Sequence, residues 1–241
     1  MTLRLFVDVA LQADADLALP PGAARHAQVR RVQPGDTLWL FDGHGSDWPA
    51  TVLSVGRSSV LVRVGAPVAV HNELATRVTL ALGMPANERM DALVEKATEL
   101  GVAHIQPLLT ERSVLRLSGE RAERKRAHWQ AIAEAACEQC GRARVPRVEP
   151  VRALAEWLPQ AREGLRLLLS LQANAQPLSA TAAALEITTL SGPEGGLTPD
   201  EEAAAQRQGF VPAALGPRVL RADTAPLAVL AWLALHPPLA G

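Results

Sequence analysis

The chain has 241 residues, of which 48% are apolar and 20% charged, with a formal net charge of -1. So much apolar material with so little net charge excludes disorder as the main state, and the length suits one large domain or two smaller ones. A generic polyanion binder would carry a large positive excess, which is absent overall, and the longest apolar stretch, within Leu227 to Leu235, is far short of the ~18–20 residues of a membrane span.

Residues 1–70 read as a small β-rich unit. Leu3 to Val7 is a short apolar run with Asp8 after it, so no unbroken signal-peptide run is expected. Ala23 to Val32 fits one short helix stopped by Pro34-Gly35. Thr37-Leu-Trp-Leu-Phe41 ends in the turn signal Asp42-Gly43-His44-Gly45. Ala50 to Val55 and Ser59 to Val64 follow, split by Gly56-Arg57-Ser58, which is a hairpin pattern. Short strands of this kind predict a small barrel. Pro67 to Glu73 reads as a linker.

From residue 74 strand and helix alternate. Thr76 to Leu82 is strand-like. Met90, Leu93, Val94 and Ala97 repeat at helical spacing within Arg89 to Leu100, and Gly101 ends that helix. Val102 to Leu109 is a strand, Glu120 to Cys140 a long helix and Val151 to Leu158 a short one. Leu165 to Leu171 and Ile187 to Ser191 are strands. Pro199 to Gln208 is a helix with Thr198 as its N-cap and three acids in its first turn, where the dipole favours them. Thr224 to His236 is the last helix. The alternation predicts an α/β domain over 74–241 with a mostly parallel sheet. The alanine-rich stretches, Ala180 to Ala184 and Ala203 to Ala205, read as helix-forming surface.

Two segments stand out for chemistry. In Ser191-Gly-Pro-Glu-Gly-Gly-Leu-Thr-Pro-Asp200 a strand ends, a glycine-rich turn follows and an acidic helix begins. Ligands of parallel sheets bind beyond the carboxyl ends of strands, and glycines let a flat ligand approach the backbone. The glycine spacing is not that of a dinucleotide fingerprint, and no Gly-Lys-Ser/Thr follows, so it is not a P-loop. A plain strand-to-helix connection is the rival reading. In Leu215-Gly-Pro-Arg-Val-Leu-Arg-Ala-Asp-Thr-Ala225, Arg218 and Arg221 lie in a turn where guanidinium groups can bind carboxylate, phosphate or a developing oxyanion. Asp223 or Thr224 is expected to cap the last helix.

Between Arg112 and Arg152 basic residues outnumber acidic ones. Arg121 to Arg126 reads as a solvated helix face, whereas Arg142, Arg144 and Arg147 form a tighter cluster suited to phosphate. Only Lys96 and Lys125 of the 24 basic residues are lysines, a skew that reflects base composition as much as function. Cys137-Glu-Gln-Cys140 is the only cysteine pair, too little for a disulfide scaffold, and a cytoplasmic protein is expected. A zinc site needs a second ligand pair, and a redox motif places its thiol at a helix N-terminus rather than the C-terminus, so the cysteines read as structural. The six His show no metal-binding spacing, and no metal is expected. Trp39 and Trp48 read as core rather than base-stacking residues.

The ordered combination resembles the ribosomal RNA small subunit methyltransferase E family of the knotted SPOUT superfamily. Arg4-Leu-Phe-Val7, His26-Ala-Gln-Val-Arg-Arg-Val-Gln-Pro-Gly-Asp36 and Phe41-Asp-Gly-His-Gly45 resemble its N-terminal PUA-like RNA-binding domain. Glu95-Lys-Ala-Thr-Glu-Leu-Gly101, Pro107 to Ser113 and Glu138-Gln-Cys-Gly-Arg142 resemble segments of its catalytic domain. Gly192-Pro-Glu-Gly-Gly196 and Leu215-Gly-Pro-Arg-Val-Leu-Arg221 are similar to the two loops of its cofactor site. There are two departures. Pro85 is followed by Ala86-Asn87 where the family has a Lys-Gly pair, and Ala222-Asp223-Thr224 replaces a Thr-Glu-Thr.

The resemblance implies a PUA-like β-barrel over 1–70 and an α/β SPOUT domain over 74–241 with a trefoil knot. It implies a homodimer with the active site at the subunit interface. It also implies transfer of a methyl group from S-adenosylmethionine to N3 of a uridine in the 16S RNA of the small ribosomal subunit. The cofactor would lie on Leu169, Ser170, Leu171, Gly192, Pro193, Glu194, Gly195, Gly196, Leu215, Gly216, Arg218, Val219 and Leu220. Arg221 or Arg142 would stabilise the uridine anion, and Asp223 or Glu194 would be the base. Arg4, Arg30, Arg31, Arg142 and Arg144 would contact RNA. Two alternatives stay open: a SPOUT enzyme acting on another RNA position such as a ribose 2′-oxygen, and a non-catalytic RNA-binding or assembly factor.

Overall fold

The computed structural model describes residues 2–86, 88–160, 163–178 and 184–236. Asn87 and most of the Ala180 to Ala184 stretch lie outside the described residues. The chain divides into two units, residues 1–73 with 134–145, and residues 74–133 with 146–241. Residues 134–145, which follow the 70–74 boundary in sequence, group with the first unit.

In the first unit six strands form one sheet. They are β1 (Arg4–Phe6), β2 (Asp16–Ala18), β3 (Thr37–Phe41), β4 (Ser46–Val55), β5 (Val60–Val64) and β6 (Val68–Ala69), in the order β1-β3-β4-β5-β2 with β6 on β4. Alternation puts Leu38 and Leu40 of β3, Ala50 and Val52 of β4 and Val60, Val62 and Val64 of β5 into one core. Helix α1 (Pro21–Val29) adds Ala23, Ala24 and Ala27 to it. Trp48 packs against the same core.

Several boundaries differ from the expectation for local reasons. Helix α1 starts at Pro21, whose fixed φ suits a first helical position, and stops before Arg31, which takes a left-handed φ of 57°. The sequence gives no sign of β2, which exists by pairing antiparallel with β5. The expected linker is anchored rather than free. β6 pairs with β4, Val70 N–H donates to Gly45 O, and Asn72 donates to Gly141 O at 2.9 Å.

The second unit carries an eight-stranded sheet. Its elements are β7 (Arg77–Gly83), α2 (Glu88–Glu99), β8 (His104–Leu109), α3 (Gly119–Cys140), β9 (Arg147–Val148), β10 (Arg152–Ala153), α4 (Leu154–Trp157), β11 (Leu165–Leu169), β12 (Gln176–Pro177), β13 (Glu186–Ser191), α5 (Pro199–Arg207), β14 (Val211–Ala214) and α6 (Thr224–Leu235). The last turns of α3, from Glu134, belong to the first unit. The order is β10-β8-β7-β13-β11-β14-β12, with β9 on β8, and every pairing is parallel.

Both faces of the sheet are covered, as parallel sheets require. On one face Val78, Leu80, Leu82, Ile105, Leu167 and Ile187 pack with Met90, Leu93, Val94 and Ala97 of α2, with Trp129 of α3 and with Val229, Leu230 and Leu233 of α6. On the other Ala81, Leu108, Leu168 and Leu190 meet Leu154 and Trp157 of α4, Ala205 of α5 and Phe210. A fully buried Leu such as Leu93 contributes about 1.5–3 kcal/mol. The sequence conceals β14 because Pro212 sits inside it, and proline argues against a central strand. The expected helix at Val151 is first a strand, β10, and only then the one-turn α4.

This order places β13, β11 and β14 side by side and parallel, so their carboxyl ends lie next to one another. The segments leaving Leu169, Ser191 and Ala214 therefore emerge at one edge, the position where α/β sheets bind ligands.

Candidate active site

A cavity of about 540 Å³ lies at these strand ends, within the range of small-molecule sites. Of the expected cofactor residues, Leu169, Ser170, Leu171, Gly192, Pro193, Glu194, Gly195, Gly196, Leu215, Arg218, Val219 and Leu220 line it, and so does Arg221. Gly216 is not part of the lining. Its φ of 96° makes the bend before Arg218. Ser191, Ala222 and Ala225 of the two segments singled out in the sequence also line the cavity, and so do Arg89 and Ala213, which the sequence does not point to.

The glycine-rich loop is held from all sides. A Cβ on Gly192 would meet Gly196 C at 2.5 Å and Leu197 N at 2.6 Å, so only glycine allows the loop to close on itself. A Cβ on Gly83 would lie 2.5 Å from Pro193 Cδ. Arg112 Nη1 donates to Gly195 O at 2.9 Å and to Leu197 O at 3.3 Å. Beyond the loop Thr198 and Glu201 form a reciprocal capping box at the start of α5, as the N-cap expectation requires. The other Glu201 oxygen accepts from Glu111 N–H at 2.8 Å.

Glu194 takes part in this bracing. Its Oε1 accepts the Ala86 N–H at 3.1 Å and stands 3.6 Å from Arg89 Nη1. The carboxylate ties the glycine loop to the start of α2, which disfavours it as a base. Arg89 was legible only as a basic residue in the first turn of a helix, and nothing in its spacing signals that this turn abuts the strand ends.

Asp223 behaves differently from its expected role. It occupies the N-cap position of α6 with helical dihedrals (φ -80°, ψ -30°) and makes no side-chain capping bond. The free N–H groups of Thr224 and Ala225 go instead to Arg221 O, both at 3.0 Å. Asp223 Oδ1 is left buried without a partner, and so is Ser191 Oγ. Unpaired buried polar atoms cost free energy and mark places where a ligand completes the bonding. Arg218 and Arg221 are exposed at the cavity, and neither makes an ion pair among the described residues.

The basic residues expected to meet RNA divide. Arg30 and Arg31 are exposed at the end of α1. Arg144 is exposed too, its guanidinium close to Gly45. Arg4 and Arg142 stand apart from these, because each is engaged inside the first unit. Arg142 is 4% exposed and binds Glu73 Oε2 through Nη2 at 2.6 Å and Nε at 3.0 Å. Arg4 binds Asp47 at 2.7 Å, lies 3.7 Å from the Phe41 ring centroid and donates to Cys137 O and Arg142 O. Its sequence position near the N-terminus gave no hint that it caps the end of α3. Either arginine would have to leave these partners to touch a substrate.

Among the described residues no group of His, Cys, Asp or Glu is placed to hold a metal ion, and no helix is long and apolar enough to cross a membrane.

Comparison with known proteins follows the same division. Residues 72–234 match the model of an RNA methyltransferase domain, and residues 19–65 that of an RNA methyltransferase PUA domain. The ribosomal RNA small subunit methyltransferase E of Synechocystis is 35% identical over 242 residues, covering 97% of this chain and 77% of that protein. The protein of the same name from Bacillus subtilis is 30% identical over 211 residues, covering 84% of this chain and 82% of its own. A crystal structure of the Neisseria gonorrhoeae protein of that name, bound to S-adenosyl methionine, superposes with a TM-score of 0.91 at 33% identity over 98% of both chains. A methyltransferase from Legionella pneumophila, solved with its cofactor SAM, gives a TM-score of 0.92 at 33% identity over 98% of both.

Proposed function

Because the chain belongs to the ribosomal RNA small subunit methyltransferase E family, we propose that it transfers a methyl group from S-adenosylmethionine to N3 of a uridine in the 16S RNA of the small ribosomal subunit. The observation that carries the reading is the cavity at the ends of β11, β13 and β14, lined by a glycine cradle and by two exposed arginines, Arg218 and Arg221, with the buried, unpartnered Asp223 Oδ1 two residues further along the chain.

The donor fits the residues present. Leu169, Leu171, Leu215, Val219 and Leu220 offer an apolar bed for a flat base, and the glycine loop allows backbone approach. Ser191 lines the same cavity, and its buried Oγ has unused hydrogen-bonding capacity. When bound, S-adenosylmethionine supplies an already activated methyl group.

The protein's remaining work is alignment and removal of the imide proton. Asp223 is the base we assign: its Oδ1 is uncommitted, whereas Glu194 already holds Ala86 N–H and Arg89. Arg221, two residues before it, stabilises the charge that develops on the uridine carbonyls. Arg30, Arg31 and Arg144 are the surface cations we assign to RNA phosphates.

A homodimer and a trefoil knot belong to the same proposal. Helix α6, Thr-Ala-Pro-Leu-Ala-Val-Leu-Ala-Trp-Leu-Ala-Leu, is apolar on all sides, and such a helix is normally covered all round. Leu227 and Trp232 are only partly buried and Leu235 is exposed, which supports a second copy as the cover. For the knot the proposal rests on the family to which the chain belongs.

The test is calorimetric titration of S-adenosylmethionine into the purified protein, with NAD and ATP as controls. Nucleoside mass spectrometry of small subunits incubated with protein and cofactor then follows. The expected result is micromolar binding of S-adenosylmethionine alone and appearance of N3-methyluridine. No binding with or without small subunits overturns the enzyme reading, and methyl on a ribose oxygen overturns the N3 assignment.

A further inference from the structure

On one face of the second unit's sheet, α4 and α5 cover the carboxyl half only, where they meet Ala81, Leu108 and Leu190. Side chains two residues earlier on those strands share the face. They are Thr79, Gln106 and Thr188, where central parallel strands normally carry aliphatic residues. Register sets Arg147 of β9, His104 of β8, Thr79 of β7 and Thr188 of β13 in one row. Four strands side by side span ~14 Å, about four residues of extended chain.

A cavity of about 1170 Å³ opens over this row, at the amino ends of β7 and β13, whereas the glycine loop leaves the carboxyl end of β13. It exceeds the roughly 300–1,000 Å³ of small-molecule pockets. Two buried side chains line it with bonding capacity to spare. Thr188 is 6% exposed, and its hydroxyl makes no hydrogen bond among the described residues. Gln106 is 5% exposed and donates from Nε2 to Pro107 O and Pro150 O, which leaves its Oε1 to accept. Buried polar groups of this kind call for a partner, and the backbone of an extended segment offers both N–H and C=O.

The charges select the kind of segment. Among the described residues the lining holds five glutamates and three arginines, a net charge of -2 with His104 neutral. His104 Nε2 accepts from Arg77 Nη2 at 2.8 Å, so that imidazole carries no charge. Arg147 Nε stands 3.3 Å from Glu149 Oε1, and Glu123 pairs with Arg126. Glu156, Glu163 and Glu186 are exposed and make no ion pair among the described residues, and Arg152 makes none either. Such a rim repels phosphate and attracts lysine and arginine. Leu109, Leu117 and Val151 add an apolar wall.

We propose that this cavity docks an extended, lysine- or arginine-rich segment of a protein partner. The proposal rests on the function given above only in taking that partner from the proteins of the small ribosomal subunit. The segment's backbone bonds to Thr188 and Gln106, and its cations meet Glu156, Glu163 and Glu186. Docking here acts on capture of the particle and leaves the chemical step alone.

The test uses the full chain and three fluorescein-labelled probes, octalysine, octaglutamate and octauridylate, read by fluorescence anisotropy at physiological salt. Octalysine should bind, and the other two should not. A joint Glu156→Gln, Glu163→Gln, Glu186→Gln replacement should weaken octalysine by about tenfold. The near-isosteric Thr188→Val should weaken it by about threefold. Removing the same charge elsewhere, by Glu95→Gln, Glu99→Gln, Asp200→Gln, should change little. No binding of octalysine, equal weakening by the two triple replacements, or binding of octauridylate that Thr188→Val weakens, overturns the proposal, the last in favour of RNA. On purified small subunits the Glu156, Glu163, Glu186 replacement should raise KM by about tenfold with kcat and the Kd for S-adenosylmethionine unchanged, and an unchanged KM overturns the docking role. Absence of S-adenosylmethionine binding and of turnover in the unsubstituted protein would sink the methyltransferase reading instead, and the octalysine titrations would still decide the groove.

Discussion

Arg112 holds the Gly195 carbonyl at 2.9 Å, and the same guanidinium reaches Leu197 O at 3.3 Å. One side chain from the loop after β8 thus sets the shape of the glycine turn after β13. Hydrogen bonds from a charged donor contribute about 1.5–3 kcal/mol. Arg112→Ala should therefore weaken S-adenosylmethionine binding by about tenfold or more, with Arg112→Lys in between. Calorimetry on both variants checks this, and an unchanged Kd in Arg112→Ala would mean the loop keeps its shape unaided.

Gly192 and Gly196 should respond differently to alanine. At Gly192 the added Cβ meets backbone at 2.5 Å, so the loop must open, and cofactor binding should be lost. At Gly196 there is open space and only a left-handed φ of 69°, so alanine there should cost about 1–2 kcal/mol of stability. Thermal melts and cofactor titrations on the two variants separate the effects.

Arg221→Ala should lower turnover on small subunits by about 10²–10³-fold, since it removes charge stabilisation from the transition state. Its Kd for S-adenosylmethionine should change little. Asp223→Asn should show the same split, with a loss of about 10²–10⁴-fold for a missing base. Glu194→Gln should instead raise the Kd, because Glu194 braces the loop through Ala86 and Arg89. Equal losses of turnover and affinity in Arg221→Ala would refute its assignment.

The Arg142–Glu73 pair should matter for stability. Removing one partner of a buried pair leaves an uncompensated charge and costs about 3–5 kcal/mol. Glu73→Ala leaves the Arg142 side chain, only 5% exposed, uncompensated and should fall within that range, whereas Arg142→Met leaves Glu73, 24% exposed, and should cost less. Urea unfolding monitors it, and a joint Glu73→Ala, Arg142→Met replacement should recover part of the loss.

His104 predicts an acid-side dependence. Burial, and next the Arg77 guanidinium, hold its pKa below 6.5, while Glu149 pulls the other way. The unfolded chain then binds the proton more readily than the folded one, so stability is full above pH 6.5 and falls as pH drops below it. His104→Gln should flatten this part of the curve in melts between pH 7.5 and 5.

Local chemistry determined much of this protein by sequence alone. The 3.6-residue repeat of Met90, Leu93, Val94 and Ala97 specifies a helix wherever it packs, and Thr198 with Glu201 specifies the start of α5 through bonds three residues apart. The glycine loop and the arginine turn were legible as ligand-binding segments because their residue types limit what the backbone and side chains can do.

What tertiary structure decided is which groups are free. Arg142 and Arg221 carry the same guanidinium, yet one is bound to Glu73 and the other is exposed at a cavity. Asp223 looks like a helix cap, and only the turn at Arg221 O releases its carboxylate. Strands β2 and β14 exist through pairing with β5 and β11, not through their own propensity. Each of these outcomes depends on partners tens of residues away, and short-range sequence patterns do not encode them.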